Sequence, residues 1–373
     1  TFMTEQSTYC SFSTSGWDDR NKKMCCFAQL PKFKDHKQMH QDNKVKTLVN
    51  DLTTGVRNPI CDVCWKAEDS GSFSMRQQSL TNEGSPKSQT YTDHEASEKK
   101  LKYLTVDTGT QCNFACRTCG PWSSTGHVKE WTEKYGQEWT EKYGEEWNNV
   151  AVDYNKLLEQ DLSNVKNVEL LGGEPFVNLG HLQIVDLIRQ NNPYWLTYTT
   201  NGSVKLRKEI LDRFNGFHAV NICLSIDAIG KPFEYIRTLG KWDKVNSNID
   251  HLVAQKQNYS RLSVNCHITL SALNVLYLKE LVDWCESKRI PYDFTYCSYP
   301  GEYSFDIFTD AQKQNIQESL NKDTRLSVAV KYLEESTYKK DLRDKFDTSV
   351  AFTKKFRNLD AKEYIPKLFD IIV

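Results

Sequence analysis

Residues Thr105 to Gly120 read TVDTGTQCNFACRTCG, and the rest of the chain is organised around this run. Its three cysteines, Cys112, Cys116 and Cys119, follow the order C-x3-C-x2-C. Thiolates bind soft metals, and cysteines gathered in one loop hold iron–sulfur clusters. Three such ligands leave one iron of a [4Fe–4S] cluster without a protein ligand. An open position of this kind separates catalytic from structural metal sites, as zinc proteins show. The plainer alternative is a zinc site completed by His127, although zinc knuckles favour paired C-x2-C units.

Downstream, the apolar run Val168-Glu169-Leu170-Leu171 leads into Gly172-Gly173-Glu174-Pro175, a strand followed by a glycine-rich turn. The two stretches, in this order, resemble the signature of the radical S-adenosylmethionine (radical SAM) superfamily. Its loop reads C-x3-C-x-aromatic-C, and its GGEP turn holds the amino group of the SAM methionine. Thr118 departs from that pattern, standing where the family usually has an aromatic residue against the adenine. The resemblance covers about residues 100 to 300.

Composition and length narrow the partners and the compartment to be expected. The chain has 373 residues, a net charge of −1 and a mean hydropathy of −0.63. That balance favours neither a nucleic-acid nor a membrane partner. No apolar run approaches the ~20 residues that span a bilayer. The start, TFMTEQSTYC, has neither the basic region nor the apolar core of a secretory signal. A cytoplasmic protein is expected, in which the twelve cysteines stay reduced and clustered ones serve as metal ligands.

Five cysteines precede residue 95: Cys10, Cys25, Cys26, Cys61 and Cys64. Cys61 and Cys64 form a C-x2-C knuckle behind the turn signal Asn58-Pro59. The polar stretch SGWDDRNKK reads as a short hairpin, with Asn21 suited to a left-handed turn position. Four cysteines from two segments can close a metal site completely. The segments YCSF…MCCF and NPICDVCWKAEDSGSFSMRQ resemble the auxiliary-cluster domain called twitch, a short form of the SPASM domain. The resemblance implies Cys10, Cys25, Cys61 and Cys64 as ligands, with Cys26 the alternative to Cys25. A zinc site with the same four ligands is the competing reading.

Residues 82 to 100 are polar and aperiodic, a linker. EWTEKYG occurs from Glu130 and again from Glu138, with EW once more at Glu146; Gly136 and Gly144 weaken a continuous helix there. This segment is expected on the outside of the fold. Beyond it strands and helices alternate, which argues for parallel β/α units. Strands are expected at Trp195 to Thr200, His218 to Ile226, Leu262 to Leu270 and Pro291 to Cys297, with helices at Leu179 to Gln190 and Leu276 to Lys288. Functional side chains of a βα barrel come from C-terminal strand ends. Those ends carry Thr200 and Asn201, Ser225 and Asp227, and His267 and Thr269. In the superfamily such strand ends lie near the SAM ribose and carboxylate, so the resemblance implies Thr200, Asn201, Ser225, Asp227 and Arg237 as cofactor contacts. His267 reads equally well as a barrel-core residue. In the last strand Asp293, Thr295 and Cys297 share one face and Tyr292, Phe294 and Tyr296 the other; a lumen-facing Cys297 thiol would be a hydrogen-atom donor, and a buried one mere packing.

The expected fold is therefore α/β. A partial (β/α)6 TIM-like barrel (residues 96–307) follows a small N-terminal Fe–S auxiliary domain with its linker (1–95) and precedes a helical C-terminal extension (308–373) without chemistry of its own. The resemblance implies an oxidoreductase-like enzyme holding one SAM-binding [4Fe–4S] cluster, one auxiliary [4Fe–4S] cluster and SAM. It would take an electron from a donor such as flavodoxin or ferredoxin and act on a small-molecule or peptide substrate. Modification of a peptide is the alternative within the family, and a non-catalytic zinc protein the alternative outside it.

Overall fold

Seven parallel strands lie side by side in chain order in the computed structural model, which describes residues 8–69, 74–81, 100–138, 141 and 152–372. They are β1 (Gly16–Asp18), β2 (Tyr103–Asp107), β3 (Asn167–Leu171), β4 (Trp195–Thr200), β5 (Ala219–Ser225), β6 (Leu262–Leu270) and β7 (Tyr292–Tyr296). Strands β2 to β7 are the six of the expected partial barrel.

Period-two alternation explains how the sheet is used. Strands of parallel sheets are usually buried on both faces and read as continuous apolar runs. Here only one face is apolar. Leu196 and Tyr198 of β4, Val220, Ile222 and Leu224 of β5, and Cys266 and Ile268 of β6 are completely buried. They pack into one core with the helices Leu182–Ile188, Lys208–Phe214, Trp242–Gln255 and Leu278–Ser287. The opposite, concave face carries half-buried Glu169, Thr197, Asn221, Cys223, Asn265 and His267. Filled barrels place branched aliphatic residues inward. This one has a polar lumen.

The N-terminal segment belongs to the sheet more closely than its sequence shows. SGWDDRNKK turns the expected short hairpin, closed by an antiparallel bridge between Asp18 and Lys23, and its first arm also joins the sheet: Gly16–Asp18 pairs in parallel with Tyr103–Thr105 of β2. Lys102 N–H donates to Ser15 O at 2.9 Å and Asp19 N–H to Thr105 O at 2.9 Å, extending the junction at both ends. The turn that follows spans Asp18 to Lys23, and its left-handed residue is Lys22, φ 55°, not Asn21. Asn21 caps the turn instead, its Nδ2 donating to Asp18 Oδ2 at 2.7 Å. Trp17, 1 % exposed, anchors β1 in the core.

At the other edge, the aromatic face of β7 is covered as its alternation predicts. Tyr296 stacks on Tyr332 of the C-terminal extension, with centroids 4.9 Å apart, and meets Phe305 edge-on. The first EWTEKYG copy is helical (Val128–Tyr135) and stops at Gly136, φ 84°. Residues 82–99 of the expected linker and nearly all of the later repeat copies lie outside the described residues. Among the described residues no helix is long and apolar enough to cross a membrane.

Candidate cluster site

The three-cysteine loop leaves the C-terminal end of β2 and is clamped from two sides. On one side Gly173 N–H donates to Gly109 O at 2.6 Å and Glu174 N–H to Gln111 O at 2.9 Å. Glycine is required at this approach. A Cβ on Gly172 (φ 152°) would stand 2.5 Å from Thr108 Oγ1, and one on Gly173 would stand 2.3 Å from Gln111 O. On the other side Ala115 N–H donates to Thr238 O at 2.9 Å and Arg117 N–H to Ile236 O at 2.7 Å. The GGEP turn thus fixes the backbone of the cysteine loop.

Hydrogen-bond donors are aimed at the sulfurs. Arg237 Nη1 stands 3.7 Å from Cys116 Sγ, Asn201 Nδ2 3.8 Å from Cys112 Sγ, and the Phe114 N–H 3.5 Å from the same atom. Burial pushes the Cys112 thiol up to about 12 and Cys119 up to about 11; it also raises Cys116, against which the Arg237 charge pulls. Half-buried thiols approached by N–H donors, as Cys112 and Cys116 are, suit anionic sulfur bound to metal. Each thiolate of a cubane cluster binds its own iron, so such sulfurs stand apart. Accordingly, no trio of His, Cys, Asp or Glu among the described residues converges as ligands of a single ion would. His127 Nε2 lies 3.0 Å from the Cys116 carbonyl, which only accepts, so that nitrogen carries the proton and Nδ1, buried without a partner among the described residues, keeps its lone pair. Burial, with help from Arg117, pulls the His127 ring down to about 4, keeping it neutral.

The strand-end residues support this loop through one another. Glu174, 1 % exposed, accepts from Thr200 Oγ1 at 2.8 Å, Asn201 N at 2.7 Å and Phe176 N at 3.1 Å. Its carboxylate ties the GGEP turn to the end of β4 and sets Asn201 beside Cys112. Pro175 is buried behind it. Asp227, also 1 % exposed, accepts from Thr269 N at 2.9 Å and holds Arg237 through an ion pair of 2.8 Å. Ser225 is half-buried on the lumen face, in register with His267, which is paired with Asp293 of β7. Burial lowers the His267 ring, but Asp293 outweighs it and the net shift is upward. Cys297 is sealed off: it is 3 % exposed, and its Sγ points at the carbonyls of Tyr299 (3.6 Å) and Pro300 (3.9 Å).

One part of the site carried no sequence signal. Arg117, between two cysteine ligands, is 5 % exposed and forks onto Glu130, with contacts of 2.9 and 3.0 Å. The extension, expected to be inert, supplies the remaining partners. Thr353 Oγ1 accepts from Arg117 at 2.7 Å, and Arg357 reaches Glu130 at 3.0 Å and Gly126 O at 2.9 Å. Burial raises the Glu130 carboxyl, but the Arg117 charge outweighs it and holds the group ionised. The first repeat copy therefore faces the cluster loop with Glu130 and is not purely external.

A second group of sulfurs lies in the N-terminal segment. Cys10, Cys25, Cys61 and Cys64 line one cavity with Phe12, Met24, Leu52 and Met75. Cys26 is not among the lining residues; it is exposed, and its charge neighbours include Asp18 and Glu169 of the lumen. Burial and mutual proximity raise the four thiols, Cys10 to about 11 and Cys25 to about 12. Their donors are chiefly backbone N–H groups, of Phe12 and Ser13 at Cys10, Phe27 and Ala28 at Cys25, and Met75 and Arg76 at Cys64, and Ser79 Oγ lies 3.8 Å from Cys10 Sγ. Among the described residues every cysteine is free.

A family model described as a 4Fe-4S single cluster domain matches residues 106–227, the span from β2 through Asp227. Among curated proteins, the GTP 3',8-cyclase of Yersinia pestis is 26% identical over 210 residues, which is 56% of this chain and 58% of that protein. The GTP 3',8-cyclase of Cronobacter sakazakii is 26% identical over 218 residues, 57% and 60% of the two chains. The chain thus spans less than two thirds of the length of these relatives. A solved structure titled "Native anSMEcpe with bound AdoMet" covers 64% of this chain and 62% of its own, at 17% identity and a TM-score of 0.37. The three-cysteine loop and the GGEP turn both lie inside the span matched by the iron–sulfur family model, and the similarity to the cyclases extends over little more than half of the chain.

Proposed function

We propose that the protein is a radical SAM enzyme whose cluster is held by Cys112, Cys116 and Cys119. The observation that carries the reading is the clamp of that three-thiol loop against Gly172 and Gly173 at the C-terminal ends of parallel strands. A [4Fe–4S] cluster with an open iron, binding SAM, supplies the electron that releases methionine and a deoxyadenosyl radical able to abstract a substrate hydrogen atom. The chain's own residues orient and shield. Arg237 and Asn201 steady the thiolates, Asp227 fixes Arg237, and Glu174 with Thr200 fixes Asn201. Gly172, Gly173, Pro175 and Ser225 line the same rim and are proposed, with these residues, as the SAM site.

The second cysteine group supports an auxiliary [4Fe–4S] cluster on Cys10, Cys25, Cys61 and Cys64. With every iron ligated, such a cluster is suited to take an electron from the substrate radical, making the net outcome an oxidation. Cross-linking or epimerisation of a peptide is the alternative outcome. The reading further includes a cytoplasmic setting, a flavodoxin- or ferredoxin-like electron donor, and the 1–95, 96–307 and 308–373 division of roles. GTP cyclisation is a second reading, favoured by the sequence match to the cyclases. The test is anaerobic reconstitution with iron and sulfide. Brown protein absorbing broadly near roughly 400 nm, as thiolate-ligated clusters do, should form deoxyadenosine from SAM with dithionite. Colourless, zinc-loaded protein without SAM cleavage would overturn it.

A further inference from the structure

The barrel lumen contains polar groups that the cluster site does not use. Glu169, in the middle of β3, points inward, and no hydrogen-bond donor among the described residues is recorded for its carboxylate. Two residues earlier on the same face stands Asn167, 7 % exposed, with neither its amide oxygen nor its amide nitrogen partnered. Buried amides are almost always hydrogen-bonded, so an unpartnered amide on the lumen face marks a place for a ligand. Asp18 of β1 adds a second carboxylate close enough to act on Glu169.

The cations nearby are already committed. His267 is paired with Asp293. Arg20 donates to Trp122 O and Ser123 Oγ, and Lys23 Nζ donates to Ala28 O at 2.6 Å. Arg237 belongs to Asp227. Among the described residues the Glu169 carboxylate is therefore left without a donor on the lumen face, while Arg20 and Lys23, bonded to neutral oxygens, keep their charge; burial and Asp18 disfavour its ionised form, which a bound cation would restore.

We infer that the lumen binds a primary amine or guanidinium group of the substrate, with Glu169 facing the cation and Asn167 completing its hydrogen bonds. This assignment rests on the radical SAM reading for the chemistry that follows binding. It separates this chain from an enzyme for GTP. The group is carried either by a free small molecule or by a Lys or Arg side chain of a peptide, and the shared recognition chemistry is the same.

Binding to the full-length, reconstituted protein tests the inference with agmatine, a short arginine-containing peptide and GTP as probes. Agmatine or the peptide should bind saturably to wild type. Glu169→Gln, nearly isosteric, should weaken that binding by roughly tenfold or more, as expected for loss of a charge-assisted hydrogen bond. Asn167→Leu, which replaces an unpaired buried amide by an apolar group, should fold and also bind more weakly. Near-UV circular dichroism confirms that each variant is folded. Tighter binding of the peptide than of agmatine assigns the cation to a peptide, and the reverse to a small molecule. GTP should show no binding that depends on Glu169. The inference is overturned if neither cationic probe binds wild type, if their binding survives Glu169→Gln, or if GTP binds more tightly than both. SAM cleavage by wild type, measured in parallel, keeps the two readings apart. Cleavage without cation binding sinks only the substrate class, whereas cation binding without cleavage sinks the radical SAM reading.

Discussion

The two cysteine groups differ in what surrounds the sulfur. The Cys112–Cys119 loop sits at strand ends, its thiols approached by Arg237, Asn201 and a backbone N–H, with a buried Arg117–Glu130–Arg357 network behind it. The Cys10, Cys25, Cys61 and Cys64 cavity is walled mostly by apolar side chains, with Ser13 and Arg76 among them, and its sulfurs are met chiefly by backbone N–H groups. One environment is built to position and tune; the other is built to close. On the proposed function the same residue type would serve an open site in the first and a filled one in the second, with the shell deciding which.

The largest effect should come from breaking the open site. Replacing Cys112, Cys116 and Cys119 together by alanine should abolish deoxyadenosine formation while leaving the N-terminal iron in place. Residual SAM cleavage with dithionite in that variant would sink the comparison outright. Next, Cys61→Ala with Cys64→Ala should remove about one cluster's worth of iron yet retain substrate-independent SAM cleavage. The variant should also be less stable, because metal binding contributes folding free energy. Unchanged iron in soluble protein would mean that the closed site holds no cluster.

A smaller effect tests the buried network behind the cysteine loop. Glu130→Leu leaves two arginines buried without a carboxylate, and breaking a buried pair in this way costs about 3–5 kcal/mol. Denaturant unfolding should show a loss of that order, and Arg117→Met added to Glu130→Leu should recover part of it. A loss no larger than that of a surface ion pair, under about 1 kcal/mol, would show that the network is dispensable. Smallest of all is the contrast within the vicinal pair. Cys25→Ala should lower iron content, whereas Cys26→Ala should leave it unchanged, since Cys26 lies outside the cavity; iron analysis of both variants decides.

What could be read from the sequence had local causes. LSVNCHITL announced β6 because one face packs under helices while the other lines a polar lumen, so period-two alternation survives even in a parallel strand. WLTYTT marked β4 to the residue for the same reason. The glycines of GGEP were legible because a Cβ cannot be accommodated there. The chain was opaque where partners are distant. Glu130 and Arg357 meet across 227 positions, and nothing in a charged EWTEKYG repeat distinguishes a buried glutamate from a solvated one. β1 was missed because three residues, GWD, in a polar stretch carry too little pattern to declare a strand; pairing with β2 makes it one.

That short strand has a consequence for biosynthesis. The chain is made N-terminus first, so β1 and all four sulfurs of the closed site are complete before β2 exists. Parallel pairing cannot be rewarded until the long intervening loop is closed. An N-terminal centre that acquires its metal early would hold β1 in shape as a ready edge on which the nascent sheet could be laid down, strand after strand in the order of synthesis. In this molecule the cofactor would then act first as scaffolding for the barrel and only later in its chemistry.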